Sequence, residues 1–305
     1  MQKSSAPLKK EAPLYSTNIP KVKVKITGFD KAFAEVSTTA DTELWERENK
    51  IATIPSGQTI KIFRQIVNDE KFIKVSTDTN EWLLGKNSLG RISLKTNGVL
   101  TINNYRNPRF GSERTQYNSF RRILHFYPNA EKTMLVVNEL PIEEYLWGLG
   151  EEPSDEPVAK KHAIFTLARS YALVYSTQKR KFNTDLYDLE DDPATSQLYL
   201  GHDWERYHVE QKKLIAETEE DVLTHKGLPV IGPYFTQSAG RSSDKWSSQY
   251  PWCRARELPY DKGLTPKGHG VGLSGHSARI LAEKGKTTEE ILQYFFTDVD
   301  VRGAY

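Results

Sequence analysis

Pro157-Val158-Ala159-Lys160-Lys161-His162-Ala163-Ile164-Phe165-Thr166-Leu167-Ala168-Arg169-Ser170-Tyr171-Ala172-Leu173-Val174-Tyr175 is the stretch at which the pattern of the chain changes. Apolar residues fall on most sides of a 3.6-residue period from 158 to 175, which predicts a helix buried in a core rather than one lying on a surface. Ser154 or Asp155 can cap its start, and Pro157 suits the first turn, where a missing amide leaves no bond unmade. Upstream the period is two. Val22, Val24 and Ile26 alternate with Lys21, Lys23 and Lys25, and β-type runs follow at 60–62, 72–75, 92–94, 100–102, 120–126 and 134–137. Asn97-Gly98 between two of them predicts a hairpin turn, since both turn positions need positive φ. Downstream, a second helix is expected from about Trp204 to Leu223. A third should run to about Phe296, opened by the capping box Thr287-Thr288-Glu289-Glu290. The fold class is thus α+β, a β-rich N-terminal half continuous with a helix-containing half. Residues 1–19, rich in lysine, serine and proline, read as a flexible leader, and 20–129 as the β-rich region.

The composition excludes several functions. Forty-two basic and forty acidic residues in 305 leave a formal charge of +2, too little to hold the protein on nucleic acid by charge. No apolar run approaches the ~18 residues of a membrane helix. Cys253 is the one cysteine, which excludes an intramolecular disulfide and any zinc site of paired cysteines; a small buried hydrophobe is its expected role. The first ten residues carry lysines without an apolar core, so an intact secretory signal is not read there. Either the protein is cytosolic or a signal has been removed. Aromatic residues make up 11%, a supply suited to stacking on sugars, with Trp147, Trp246 and Trp252 as candidates beside the alternative of ordinary core packing.

Three places could carry chemistry. Arg169 is the one charged side chain between Ala163 and Tyr175, so it faces either a ligand cleft or a structural ion pair. The segment 148–157 packs Glu151, Glu152, Asp155 and Glu156 into a turn ahead of the core helix. Adjacent carboxylates resist joint ionisation, which favours a general acid, while a helix N-terminus favours the anion. Gly268-His269-Gly270-Val271-Gly272-Leu273-Ser274-Gly275 formally matches GxGxxG, yet the polar stretch before it is not the buried strand that a dinucleotide site requires. A loop that lets His269 and backbone amides approach a ligand is one reading, and a tight structural turn the other. Neither His202 with His208 nor His269 with His276 has a carboxylate at metal-ligand spacing, and Ser238-Ala239-Gly240 is not a nucleophile elbow.

The order of these elements resembles a known family. Val136-Val137-Asn138-Glu139-Leu140-Pro141-Ile142-Glu143-Glu144-Tyr145-Leu146-Trp147-Gly148 is followed by Glu151-Glu152-Pro153 and by Ala168-Arg169-Ser170-Tyr171-Ala172. Then come Tyr187-Asp188-Leu189, Tyr234 with Ser238-Ala239-Gly240, and Gly268-His269-Gly270-Val271-Gly272-Leu273-Ser274. The pattern resembles the SpoIID/LytB family, named for the stage II sporulation protein D and an amidase enhancer, with residues 130–305 as its catalytic region. The resemblance implies a peptidoglycan lytic transglycosylase, which cleaves between N-acetylmuramic acid and N-acetylglucosamine and leaves 1,6-anhydro ends. It places the catalytic acid at Glu151. It implies glycan binding by Arg169, Tyr171, Tyr234, Gln237, Ser238, Gly240, His269, Gly270, Gly272 and Ser274, in a cleft where the acidic turn, Arg169 and the glycine loop meet. The partners implied are glycan strands, peptide-free among them, and a cell-wall amidase; a non-catalytic amidase enhancer is the alternative function. The location implied is the periplasm or cell envelope after export. Where some members resemble zinc proteins, this chain has Glu190 and Ser196, so no metal and no cofactor is carried over. After the glycine loop the family often has Ser-Gln-Tyr-Gly-Ala, whereas here Ser274-Gly275-His276-Ser277-Ala278 stands, which implies a different fit to the glycan.

Overall fold

The computed structural model describes residues 19–68, 70–85, 90–128 and 133–305. The expected leader, apart from Ile19, lies outside the described residues. Strands take 34% of the structure and helices 22%, with a large sheet in the N-terminal half and the helices in the C-terminal half, so the fold is α+β. The chain forms two units that interleave in sequence: Lys21–Glu151 with Gln178–Lys212, and Glu152–Thr177 with Lys213–Tyr305.

The first unit is built on a largely antiparallel sheet. Lys21–Lys25 pairs with Met134–Pro141, which pairs with Ser119–Pro128 and that in turn with Ile92–Ile102. Val22 and Val24 are fully buried while Lys23 and Lys25 are not, the alternation that their sequence implies. Leu189–Glu190 adds a short parallel strand beside Lys21–Lys25. On the far side, Ile92–Ile102 pairs with both Phe33–Thr38 and Thr42–Glu46, and the sheet continues through Ile60–Val67 and Glu70–Ser76 to Glu81–Leu84.

The hairpin expected at Asn97-Gly98 is not formed. Ile92–Ile102 runs straight through it, with a register shift against Ser119–Pro128 between Lys95 and Val99. The strand has partners on both sides that come from distant sequence, so no reversal is needed, and the two residues make a bulge instead. Glycine is required there by close approach: a Cβ on Gly98 would lie 2.6 Å from Thr39 Oγ1 and 2.8 Å from the Ala40 Cβ.

The second unit wraps the predicted core helix, observed as Val158–Thr177, in the strands Asp221–His225 and Val299–Gly303 and the helices Gly275–Glu283 and Thr288–Phe295. Ala163, Ile164 and Leu167 meet Leu223, Val271, Leu273, Phe295 and Phe296 in its core. The amide of Lys161 donates to the Pro157 carbonyl at 3.0 Å, so Pro157 stands at the N-cap, immediately ahead of the first turn expected for it. Cys253 is buried in this core, and burial pushes its thiol up to about 12. The capping box at Thr287 is present in full, each of Thr287 and Glu290 bonding the other's amide.

The helix expected over 204–223 is instead two helices, Gly201–Tyr207 and Val209–Glu217, and then the strand Asp221–His225. His208 breaks the helix with its ring stacked 3.6 Å from Trp204. The last residues leave the helix because Val222, Leu223 and Thr224 pair with Asp300–Arg302, and tertiary pairing overrides a helical period in so short a run.

Gly98→Ala should lower stability by about 1–3 kcal/mol, as overpacking does. A shift of the denaturant midpoint at unchanged slope checks this; an unshifted midpoint would mean that the 39–40 turn retreats freely.

Candidate functional site

The glycine loop and the serine loop are brought together in the second unit. Tyr234–Phe235 and Leu273–Ser274 form a two-stranded parallel pairing, so Tyr234 and the chain leading to Gln237, Ser238 and Gly240 start beside Ser274. Gln237 exchanges backbone hydrogen bonds with Lys267, and its side-chain amide donates to the Thr265 carbonyl at 2.7 Å. Between the two loops lies a pocket of about 470 Å³ whose lining includes Gln237, Ser238, Arg241, Asp244, His269 and Gly270.

One side chain that the sequence reading missed holds these loops. Asp261 is fully buried, and its carboxylate accepts from the Ser238 amide at 2.7 Å, the Ser238 hydroxyl at 2.9 Å and the Ser274 hydroxyl at 2.7 Å. The Ser277 hydroxyl donates to its other oxygen at 2.6 Å, and His276 Nδ1 stands 3.2 Å from that same oxygen. Burial opposes the charge, but the bonds from Ser277, Ser238 and Ser274 outweigh it and hold the carboxyl below its ordinary range. No local motif flags Asp261. It follows the Leu258-Pro259-Tyr260 turn, and only the convergence of three segments gives it partners.

Ser274 carries a second task, since its hydroxyl accepts from the Ser277 amide at 3.2 Å and caps the helix Gly275–Glu283. His269 sits with its ring 4.6 Å from Trp246 and 5.9 Å from Phe235. Its Nδ1 accepts the Val271 amide at 3.1 Å, so the ring proton is on Nε2. Burial and the Lys245 charge push its pKa below the ordinary imidazole value, against a hydrogen bond with the Tyr234 backbone. Gly272 packs with no space to spare: a Cβ there would lie 2.1 Å from the Pro233 carbonyl oxygen, and its φ is +79°.

Arg169 lies inside the core of the second unit. It is 0% exposed, and its guanidinium donates to the backbone carbonyls of Asp221 at 3.0 Å and Ile215 at 3.4 Å. These bonds tie the core helix to the strand beside it, the structural one of the two roles expected of Arg169. Tyr171, half-buried on the same helix, packs edge-on against Tyr175 at 4.8 Å. Trp252 also turns inward, packing against the core and donating its indole N–H to the Ile231 carbonyl at 2.7 Å.

The acidic turn divides between the units. Glu151, half-buried, closes the first unit, and one of its carboxylate oxygens accepts the Leu198 amide. Glu152 opens the second unit and is buried, paired at 2.9 Å with Lys160, which also reaches Glu156 at 3.1 Å; Arg279 stands 3.6 Å from Glu156. Two of the four carboxylates are thus matched to a buried lysine, and Asp155 is exposed. Trp147 belongs to the first unit, with Lys212 at 4.6 Å and Arg121 at 5.9 Å from its ring. Among the described residues, no three His, Cys, Asp or Glu side chains gather as a metal site, and no helix is long and apolar enough to cross a membrane.

These features define an α+β protein with a polar pocket, bounded by a glycine loop and a serine loop that share one buried carboxylate. Residues 130–225 match the family model of SpoIID, the stage II sporulation protein. The chain is 21% identical over 262 residues to stage II sporulation protein D of Bacillus subtilis (strain 168), a match covering 55% of this chain and 76% of that relative. It is 32% identical over 123 residues to an uncharacterized protein of Brachyspira hyodysenteriae, covering 40% of this chain and 32% of that relative. The chain thus carries a region similar to the SpoIID family at 130–225, a likeness that points to a cell-wall related role.

Two glycine variants separate the frame of the loop from its open face. Gly272→Ala should cost several-fold more stability than Gly270→Ala, because both have positive φ but the nearest atom to a Cβ on Gly270 is the Ser243 Cβ at 4.0 Å. Thermal midpoints of the two variants check this, and equal midpoints would remove the Pro233 contact as the reason for glycine.

Proposed function

We propose that this protein is a peptidoglycan lytic transglycosylase with Glu151 as its acid. The observation that carries the reading is the contrast within the Glu151-Glu152-Pro153 turn. Glu152 is buried and, like the half-buried Glu156, pairs with Lys160, whereas the carboxyl of the half-buried Glu151 is oriented by the Leu198 amide. A proton donor needs that combination of access and fixed direction. The likeness of residues 130–225 to the SpoIID family and the position of Glu151 ahead of the core helix in the sequence support the same assignment.

The reaction balances without water. Glu151 donates its proton to the glycosidic oxygen, the bond from C1 of the muramic acid residue to that oxygen breaks, and positive charge spreads over C1 and the ring oxygen. The carboxylate then takes the proton of the C6 hydroxyl as its oxygen closes onto C1, which yields the 1,6-anhydro end and restores the acid. The pocket of the second unit, taken by itself, offers neutral hydrogen-bonding groups for hydroxyl and acetamido groups at Gln237, Ser238 and the His269–Gly270 segment, and an aromatic face at Trp246. Tyr171, Tyr234 and Gly240 retain a substrate-binding assignment, while Gly272 and Ser274 shape the loop from behind. A substrate in the cell wall requires an exported protein, so the reading includes export.

Glu151→Gln should lower cleavage of purified glycan strands by roughly 10² to 10⁴ while glycan binding and folding persist. Mass spectrometry of the new ends made by the wild-type protein decides the reaction. Ends lighter by one water are anhydro ends and support a lyase, whereas reducing ends would replace it by a hydrolase. Full activity in Glu151→Gln would remove this turn as the acid.

A further inference from the structure

The residues at which this chain departs from the resembled pattern after the glycine loop are the ones that meet Asp261. His276 and Ser277 occupy the positions where that pattern often has tyrosine and glycine, and both side chains reach the same carboxylate oxygen of Asp261. The carboxylate is surrounded by donors: one amide and three serine hydroxyls, each at 2.9 Å or less. An ionised carboxylate only accepts hydrogen bonds, so a neutral His276 beside it must carry its proton on Nδ1. Nε2 then bears a lone pair. The His276 side chain is 33% exposed, and among the described residues no partner is found for Nε2. The ring is fixed from its own backbone as well, since the His276 amide donates to the Thr236 carbonyl at 3.0 Å, two residues before the Ser238 that Asp261 holds. Among the cations of the surrounding elements, Lys160 Cε lies 3.8 Å from a Cβ placed on Gly275, Arg279 stands on the helix Gly275–Glu283, Lys284 at its C-cap donates to the Tyr260 hydroxyl at 3.1 Å, and Lys262 follows Asp261 in the chain.

We propose that Asp261 is a positioning residue that locks the serine loop to the glycine loop and holds His276 as its Nδ1–H tautomer, making Nε2 a fixed hydrogen-bond acceptor for an O–H or N–H donor of the glycan. The ligand rests on the function proposed above; the pair itself rests on geometry alone. His269 has the opposite arrangement, its Nδ1 occupied by the Val271 amide, so the two histidines present different hydrogen-bonding edges. A tyrosine at position 276 could donate or accept by rotating its hydroxyl. A histidine clamped by a carboxylate accepts only, which selects the orientation of the bound sugar.

The test uses the full chain at a pH where the imidazoles are neutral. Long-range proton–nitrogen NMR, with His276→Phe to assign the signals, should find His276 as the Nδ1–H tautomer in the wild type. Asp261→Asn should move it to the Nε2–H tautomer, because the asparagine amide can donate to Nδ1. Binding of a tetramer of N-acetylglucosamine should weaken roughly 3- to 10-fold in His276→Phe, the loss expected of one hydrogen bond. Asp261→Asn should weaken it at least as much. His276→Gln, which keeps an acceptor oxygen, should recover part of the loss. A wild-type Nε2–H tautomer, or His276→Phe binding the oligosaccharide as tightly as the wild type, overturns the proposal. Because the tautomer is read without ligand, a wild type that neither binds nor cleaves glycan yet shows the Nδ1–H tautomer instead overturns the glycan reading and the ligand assigned to Nε2.

Discussion

A carboxylate cut off from water must be solvated by the protein, and the arrangement around Asp261 is the form that this requirement takes here. Ser238, Ser274, Ser277 and His276 lie on two loops and the first turn of a helix, separated by up to 39 residues of chain. None of these side chains could satisfy a buried anion alone. Their convergence keeps Asp261 charged, and Asp261 in turn sets the spacing of the loops that bound the pocket. The dependence is mutual: neutralising the carboxylate would leave donors without an acceptor, and removing a donor would leave part of a charge unsolvated.

The core helix meets the same requirement differently. Arg169 cannot lose its charge, so its burial obliges the protein to supply oxygen atoms, and the carbonyls of Ile215 and Asp221 do so. Ser170, next in sequence, accepts the Leu223 amide at 2.7 Å and donates to Thr166 at 2.6 Å, so the helix grips the adjacent strand at two successive positions. Lys160 completes the pattern at the start of the helix by pairing with Glu152 and Glu156, the second of which also faces Arg279 at 3.6 Å. Three cations or polar groups on one apolar helix are thus spent on its surroundings. This leaves the functional surface to loops, whose backbones a rigid frame holds in place.

Period and turn chemistry made much of the fold legible from sequence. The alternation of Lys21 to Ile26, the apolar run after Pro157 and the capping box at Thr287 each act within a few residues, so local sequence determined them. The glycine loop and the acidic turn were legible as places because their residue types are unusual at that density. What each side chain does in them was not. Asn97-Gly98 reads as a hairpin in isolation and becomes a bulge because strands from elsewhere flank it on both sides. Val222 and Leu223 continue a helical period and become a strand because Val299–Gly303 offers them a partner. Arg169 reads equally as a ligand contact or a structural group, and its bonds to the carbonyls of Asp221 and Ile215 appear only in the folded chain. Asp261 carries no signal in its own neighbourhood, since its meaning lies in donors brought from 238, 274, 276 and 277. By itself the sequence determined the elements whose free energy is local, and the α+β class with them. The tertiary structure alone decided where buried charges find their partners, because solvating an ion away from water takes several groups at once, and no short stretch of chain can supply them.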